Sequence, residues 1–295
     1  MKKSCSLCGS SDLFVKKYNL HNRQDYTLTQ KIKKFIKKIL KKGSAIFEGN
    51  VDICNSCGYG VMENIPDPEK LHDYYTNQYW DKRSDDGKIP LKDEYKSDMR
   101  AKTQIQLVSE YVSTANSILE IGAGAACASL QLRDFVKGKN NEAEIYVCEP
   151  GDQWIEYYKR QNISRIASFF PFVSEQKFDY IHTSHWLEHV QNIGKTVETL
   201  NNMLNTGGYL FIEVPNSAKD YWDLDFIDVP HIHFFTKYSL QKLIENYGFE
   251  CLFSEEFGVT FHTYFHEKRS DYYEEQKNGI WVRALFKKQK DICVS

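Results

Sequence analysis

From residue 93 onward, short apolar runs alternate with longer stretches in which apolar positions recur every three or four residues. SILEIG (117–122), EIYVCE (144–149), FDYIHTS (178–184), GYLFIEVP (208–215), CLFSEE (251–256) and GIWVRALF (279–286) read as strands, with a weaker strand near 165–170. Helical periodicity predicts helices over 94–112, 126–137, 152–161, 186–205 and 238–247. Strands and helices alternating at this spacing form a parallel sheet with helices on both faces. No helix separates the last two strands, so they are expected to pair antiparallel at one edge. The expected fold is α/β: a doubly wound, mostly parallel seven-stranded sheet with an antiparallel final strand. Residues 1–62 break the pattern, being rich in Cys, Gly and Lys with only short β-like pieces, LFVKKY and VDIC. Residues 63–92 are an acidic, aromatic connector with turn signals in IPDPEK and SDDGKIP. The expected division is therefore 1–62, 63–92 and 93–295.

The first strand of the main domain runs into LEIGAGAACASL. Glycines at a strand-to-helix turn let a ligand approach the backbone closely, and the helix behind them offers free N–H groups. Two cofactor classes fit such a turn. A dinucleotide fingerprint counted from Gly122 needs Gly or Ala at its sixth place, where this chain has Cys127. Glu120, just before the first glycine, is also foreign to that fingerprint. Glu149 ends the next strand, where a carboxylate can accept hydrogen bonds from both hydroxyls of a ribose.

A glycine turn, a ribose-binding acid and an antiparallel final pair resemble the class I S-adenosylmethionine-dependent methyltransferases. FDYIHTSHWLEHVQN, with Glu188, His189 and Val190, resembles the family's fourth strand and the helix after it. LNTGGYLFIEVPN resembles the fifth strand, and HIHFFTKYSLQKLIENYGFE the approach to the sixth. The resemblance spans about residues 60–287. It implies a donor site built on Glu120, Gly122, Gly124 and Glu149, with Ser184 at the end of the fourth strand and Tyr79 of the connector. The family's third glycine is Ala126 here, and Ser168, Phe169 and Phe170 stand where its adenine-binding acid would be. The plain alternative is a tight turn at Gly122 and Gly124 with Glu149 capping a helix.

Cys5-x-x-Cys8 and Cys54-x-x-Cys57 each precede a glycine, as zinc knuckles do, and four thiolates suit a closed tetrahedral structural zinc site. The expectation is a small zinc-ribbon-like module, the alternative being redox dithiols. Cys127, Cys148, Cys251 and Cys293 are scattered singly, as small buried hydrophobes are. Such a module ahead of a methyltransferase core resembles a bacterial group that includes sugar C-methyltransferases. The C-methylating members carry a further large C-terminal domain, whereas this chain ends soon after its seventh strand, so O-methylation is expected. The connector PDPEKLHDYYTNQYWD is similar to that group too, with Tyr75 and Tyr79 either closing over the donor or simply packing between the domains.

Hydroxyl acceptors need a base, and histidines near strand ends are the candidates. His231, in PHIHFF, matches a histidine of the family's substrate-covering segment and comes first. His185 and His233 rank behind it, while His182 reads as packed within its strand. KIKKFIKKILKKG, with Ile32, Phe35, Ile36, Ile39 and Leu40 at helical spacing, predicts a basic amphipathic helix over 31–43. Its apolar face either packs on the module or contacts a membrane surface or nucleic acid. A net charge of -2 recruits neither globally. The basic N-terminus lacks the apolar core of a signal peptide, and no run approaches the ~18 apolar residues of a membrane span. The resulting expectation is a soluble, cytoplasmic methyltransferase acting on a small molecule, a sugar, nucleotide-linked or other surface-glycan precursor. Two alternatives stand beside it: an RNA methyltransferase whose zinc module holds RNA, and a non-catalytic S-adenosylmethionine-binding protein.

Overall fold

In a computed structural model, the chain is described over residues 3–19, 48–78, 91–139, 142–222, 231–260, 263 and 279–291. The predicted lysine-rich helix over 31–43, Tyr79 and Cys293 lie outside these residues. Two sheets organise the rest. The smaller contains β1 (Leu13–Asn19), β2 (Glu48–Cys54), β3 (Gly60–Met62) and β9 (His233–Phe234), in that order. The larger contains β4 (Ser117–Ile121), β5 (Glu144–Cys148), β6 (Ile163–Ala167), β7 (Phe178–Ser184), β8 (Leu204–Pro215), β10 (Phe249–Phe257) and β11 (Trp281–Lys288). Its order is β10-β11-β8-β7-β4-β5-β6, with β11 antiparallel to both neighbours and β4 to β8 parallel. The expected sheet is found, with the last strand inserted beside the edge strand β10.

Every residue of β4 is buried, as a central parallel strand covered on both faces requires. Successive side chains point to opposite faces, so Ile118 and Leu119 enter two separate apolar clusters. The helices form because their apolar residues line one stripe. Along α3 (Cys127–Gly138) this stripe is Ala128, Leu132 and Val136; along α7 (Lys237–Glu245) it is Leu240, Leu243 and Ile244. Thr236 and Ser239 close a capping box at the start of α7.

α2 (Leu91–Val108) stops short of the expected residue 112, and the segment over 152–161 opens as a 3₁₀ turn before α4 (Ile155–Arg160). The weak strand falls on 163–167 rather than 165–170. The single helix expected over 186–205 is two pieces. A 3₁₀ turn at Leu187–His189 gives way to extended backbone at Val190, and α5 (Ile193–Met203) starts on Asn192, whose side chain accepts from the Lys195 N–H at 3.0 Å. Asn192 favours the cap over a helix interior, which periodicity alone does not register. The short helices α1 (Pro68–Asp73), continued by a π turn at Tyr74–Gln78, and α6 (Lys219–Trp222) complete the elements among the described residues. No helix among the described residues is long and apolar enough to cross a membrane.

Candidate active site

The turn between β4 and α3 carries positive φ at Gly122 (71°), Gly124 (49°) and Ala126 (53°). A Cβ at Gly122 would lie 3.2 Å from the Cβ and Cδ1 of Trp186, so the glycine is fixed by space as well as by φ. Ala126 takes the left-handed conformation at the mouth of α3, a strain of about 1 kcal/mol at an alanine. Glu120 is buried, and its carboxylate accepts the Ser129 N–H at 2.9 Å, holding the helix N-terminus from below. Burial raises its pKa to about 7.

Glu149 is 2% exposed, and one carboxylate oxygen accepts from the Gly124 N–H while the other accepts from the Gly151 N–H, both at 2.9 Å. It therefore staples the glycine turn to the loop after β5, and each oxygen retains acceptor capacity. Tyr158 adds a hydrogen bond to the Gly124 carbonyl at 2.5 Å. On the adjoining side, Phe170 meets Trp186 edge-on with ring centroids 5.2 Å apart, and Phe169 lies 4.1 Å from the His72 ring. Ser168 accepts from Arg165 at 2.9 Å.

Beyond β7 two buried carboxylates organise the polar groups. Glu213, in β8, faces its register partner Arg283 in β11, with Nε donating to Oε2 at 2.6 Å. Ser184 donates to Glu213 Oε1 at 3.0 Å and accepts from Gln104 at 3.0 Å. Arg100 Nε lies 3.7 Å from the same carboxylate. Although Glu213 is buried, Arg283 and its other cationic neighbours hold its pKa well below the usual range. Glu188 is 1% exposed and has His185 Nδ1 at 3.4 Å, His189 Nε2 at 3.6 Å and His231 Nε2 at 3.9 Å. The imidazoles outweigh burial and lower its pKa to about 2.

His185 spans the two, with Nε2 also 3.4 Å from Glu213 Oε1. Its φ is 52°, a left-handed conformation fixed by its N–H donating to the Glu213 carbonyl at 2.9 Å. Burial lowers the imidazole pKa, but the facing carboxylates of Glu188 and Glu213 outweigh it, and the net shift is upward. His231 is different: 5% exposed, it is pushed by burial down to about 3. His233, pushed by burial to about 4, hydrogen-bonds through Nδ1 to the Tyr59 hydroxyl at 2.7 Å, a link within the small sheet between its N-terminal strands and β9. His182 packs inside, stacked on Phe211 with centroids 4.8 Å apart and bonded to the Tyr180 hydroxyl.

The four thiols also converge. Cys5 and Cys57 Sγ lie 3.7 Å apart, Cys8 and Cys54 3.5 Å, and all four within 4.8 Å of one another. A tetrahedron with Zn–S bonds near 2.3 Å has edges of about 3.8 Å, so the donor set fits that ion. Gly9 and Gly58 come directly after the knuckles with φ of 75° and 73°, and their N–H groups return to the Cys5 and Cys54 carbonyls.

Several of these groups carry little signal in the sequence. Glu213 and Arg283 each stand as a lone charge in an apolar strand, and that was the available signal. Glu188 was seen only as part of a motif. Arg100, Gln104 and Trp186 gave none.

A glycine turn, an acid on the next strand and an antiparallel strand inserted beside the sheet edge define a class I S-adenosylmethionine-dependent methyltransferase. The family described as "Methyltransferase domain" matches residues 94–253, more than half of the chain, and the chain belongs to it. No curated protein matches by sequence. Among solved structures, an N-methyltransferase from Burkholderia thailandensis, 1,6-didemethyltoxoflavin-N1-methyltransferase, is 12% identical with a TM-score of 0.53, covering 79% of this chain and 96% of its own. The N-methyltransferase NodS from Bradyrhizobium japonicum is 16% identical with a TM-score of 0.50, covering 73% and 100%. Both were solved with S-adenosylhomocysteine, and at these identities the likeness is one of fold.

Proposed function

We propose that this methyltransferase acts on a hydroxyl of a small acceptor, a sugar or surface-glycan precursor, with His185 as the base. The observation that carries the reading is the seat of His185. It is the imidazole at the carboxyl end of β7 that stays partly open, its side chain 26% exposed, while two carboxylates raise its pKa. Open α/β sheets bind ligands at that end. A base works best with its pKa near the working pH, and His231, neutral down to about pH 3, is too weak a base for the same task. Strained backbone at His185 is consistent with a side chain held for function.

Gly122, Gly124 and Ser184 are the residues assigned to the donor, with Glu149 assigned to its ribose hydroxyls. Phe170 and Trp186 offer aromatic faces in place of an adenine-binding acid. Bound there, S-adenosylmethionine supplies a methyl group already activated on a sulfonium. Cys5, Cys8, Cys54 and Cys57 are assigned a structural zinc ion, with 1–62 as its module, 63–92 as connector and 93–295 as the methyltransferase domain. The sugar class rests on the resemblance of the zinc-bearing N-terminus, and the net charge of -2 argues against a nucleic-acid backbone.

The test is a methyl-transfer screen over nucleotide-linked sugars. His185→Ala is expected to lower turnover ~10²–10⁴-fold while leaving donor affinity intact. Near-normal turnover of that variant would remove His185 as base, and transfer to nitrogen acceptors alone would overturn the O-methyl reading.

A further inference from the structure

We propose that Glu188, His189 and His231 form a second metal site, distinct from the four thiols, for a first-row divalent transition-metal ion. The three ligand atoms lie within 4.8 Å of one another. Glu188 is 1% exposed, yet neither carboxylate oxygen has a hydrogen-bond partner. A buried carboxylate left that way is costly, and native structures pair such groups or coordinate them to metals.

The surrounding imidazoles do not supply ordinary hydrogen bonds. Their nitrogens stand 3.4 to 3.9 Å from Glu188 Oε1, against about 2.7–2.9 Å for charge-assisted N–H···O bonds. The spacing instead resembles the edge of a coordination polyhedron. Ligands ~2.0–2.2 Å from a tetrahedral ion are about 3.4 Å apart, close to the 3.6 and 3.9 Å that separate Glu188 from His189 and His231.

The donor set is one carboxylate and two imidazoles with no thiolate, a mixture suited to zinc, manganese, iron or cobalt. The ligands come from two segments that are already fastened together, because the Ile232 N–H donates to the Glu188 carbonyl at 2.8 Å. Three protein ligands leave a coordination position open, as catalytic sites do. The His185 and His189 side chains, 26% and 15% exposed, mark the accessible side. An ion here would lower the pKa of a coordinated hydroxyl and so ease the passage of its proton to His185. That chemical role rests on the O-methylation reading; the binding of the ion does not.

The test uses the full chain with its thiolate zinc in place, titrated with Mn²⁺, an ion that carboxylate and imidazole hold in preference to thiolate. Free Mn²⁺ is read by electron paramagnetic resonance, with neither donor nor acceptor present. The expected result is uptake of one equivalent, nitrogen couplings from two imidazoles, and affinity at least ~10-fold weaker in Glu188→Gln. Because Glu188 is buried, His189→Asn serves as a second, more exposed variant, with the thermal transition of each recorded beside it. The proposal is overturned by no uptake up to about 1 mM, or by uptake that folded Glu188→Gln or His189→Asn leaves unchanged. Since methyl transfer is not read, failure of the acceptor assignment leaves this result standing, and the reverse also holds.

Discussion

The two sheets of this protein are stabilised in different ways. The large sheet buries both faces of its central strands and feeds two apolar clusters, one completed by its own helices and the other by helices together with Cys5, Cys54, Cys57 and Tyr59 of the N-terminal module. The small sheet has few apolar residues of its own. Val51, Ile53 and Met62 become buried only with Tyr221, Trp222, Ile232 and Phe234 from the later chain. Its fourth strand, β9, comes from the segment just before α7, and Tyr59 reaches His233 across the join. Gly58 sits where a Cβ would meet the Thr236 methyl at 2.6 Å, and Thr236 donates to the Cys57 carbonyl at 3.1 Å. Hydrophobic burial suffices for a sheet of seven strands, while a sheet of four short strands draws on a borrowed strand and on the zinc staple proposed at the four thiols.

Breaking the staple should have the largest effect. Cys54→Ser, or chelation, removes one or all of the zinc bonds on which small metal modules depend, whose apparent binding is worth about 10–16 kcal/mol. The expected outcome is loss of hydrogen-exchange protection over β1, β2 and β3 together with β9, while β4, β5 and β7 stay protected. Full zinc content with unchanged protection would contradict the four-thiolate assignment.

Within the large sheet, Arg283→Met strands the buried Glu213 charge, and breaking such a pair costs about 3–5 kcal/mol. Chemical denaturation should show that loss in the transition of the large sheet, without early release of zinc. A smaller effect is expected at the donor turn. Glu149→Ala removes charge-assisted hydrogen bonds worth about 1.5–3 kcal/mol each, and calorimetry with S-adenosylhomocysteine should show at least a ten-fold weaker dissociation constant.

Acid should separate the sheets further. Burial holds His233 to a pKa of about 4 and His231 to about 3, both below the ordinary value of 6.5. Below that value the unfolded chain binds protons that the folded chain refuses, so stability present above pH 6.5 is lost as pH falls toward 4. His182, in β7 of the large sheet, is held to about 3 as well, but two such imidazoles stand at β9, so that join should loosen first, read as exchange of the Phe234 amide ahead of Leu119. The smallest change is close to neutral: Ala126→Gly relieves the left-handed alanine, but chain entropy and the loss of a fully buried methyl offset it, so stability should shift by less than about 1 kcal/mol.

Much of the architecture arises from local pattern. The central strands, the glycine turn with Glu120 and Glu149, the two thiol knuckles and the order of elements all depend on residues close in sequence, where periodicity and turn chemistry act directly. Beyond the reach of pattern were contacts made across long separations. The break at Asn192 lies inside an otherwise helical rhythm, and the pairing of β3 with β9 joins residues 60–61 to 233–234. His231 and His185 look alike in sequence, each a histidine beside a strand and close to a second histidine. Packing alone set the first behind β9 at 5% exposure and left the second open between Glu188 and Glu213. The desolvation and charge that tune an imidazole come from whatever the fold brings within a few ångströms, so sequence determined which chemical groups this protein possesses, and tertiary structure decided which of them could act.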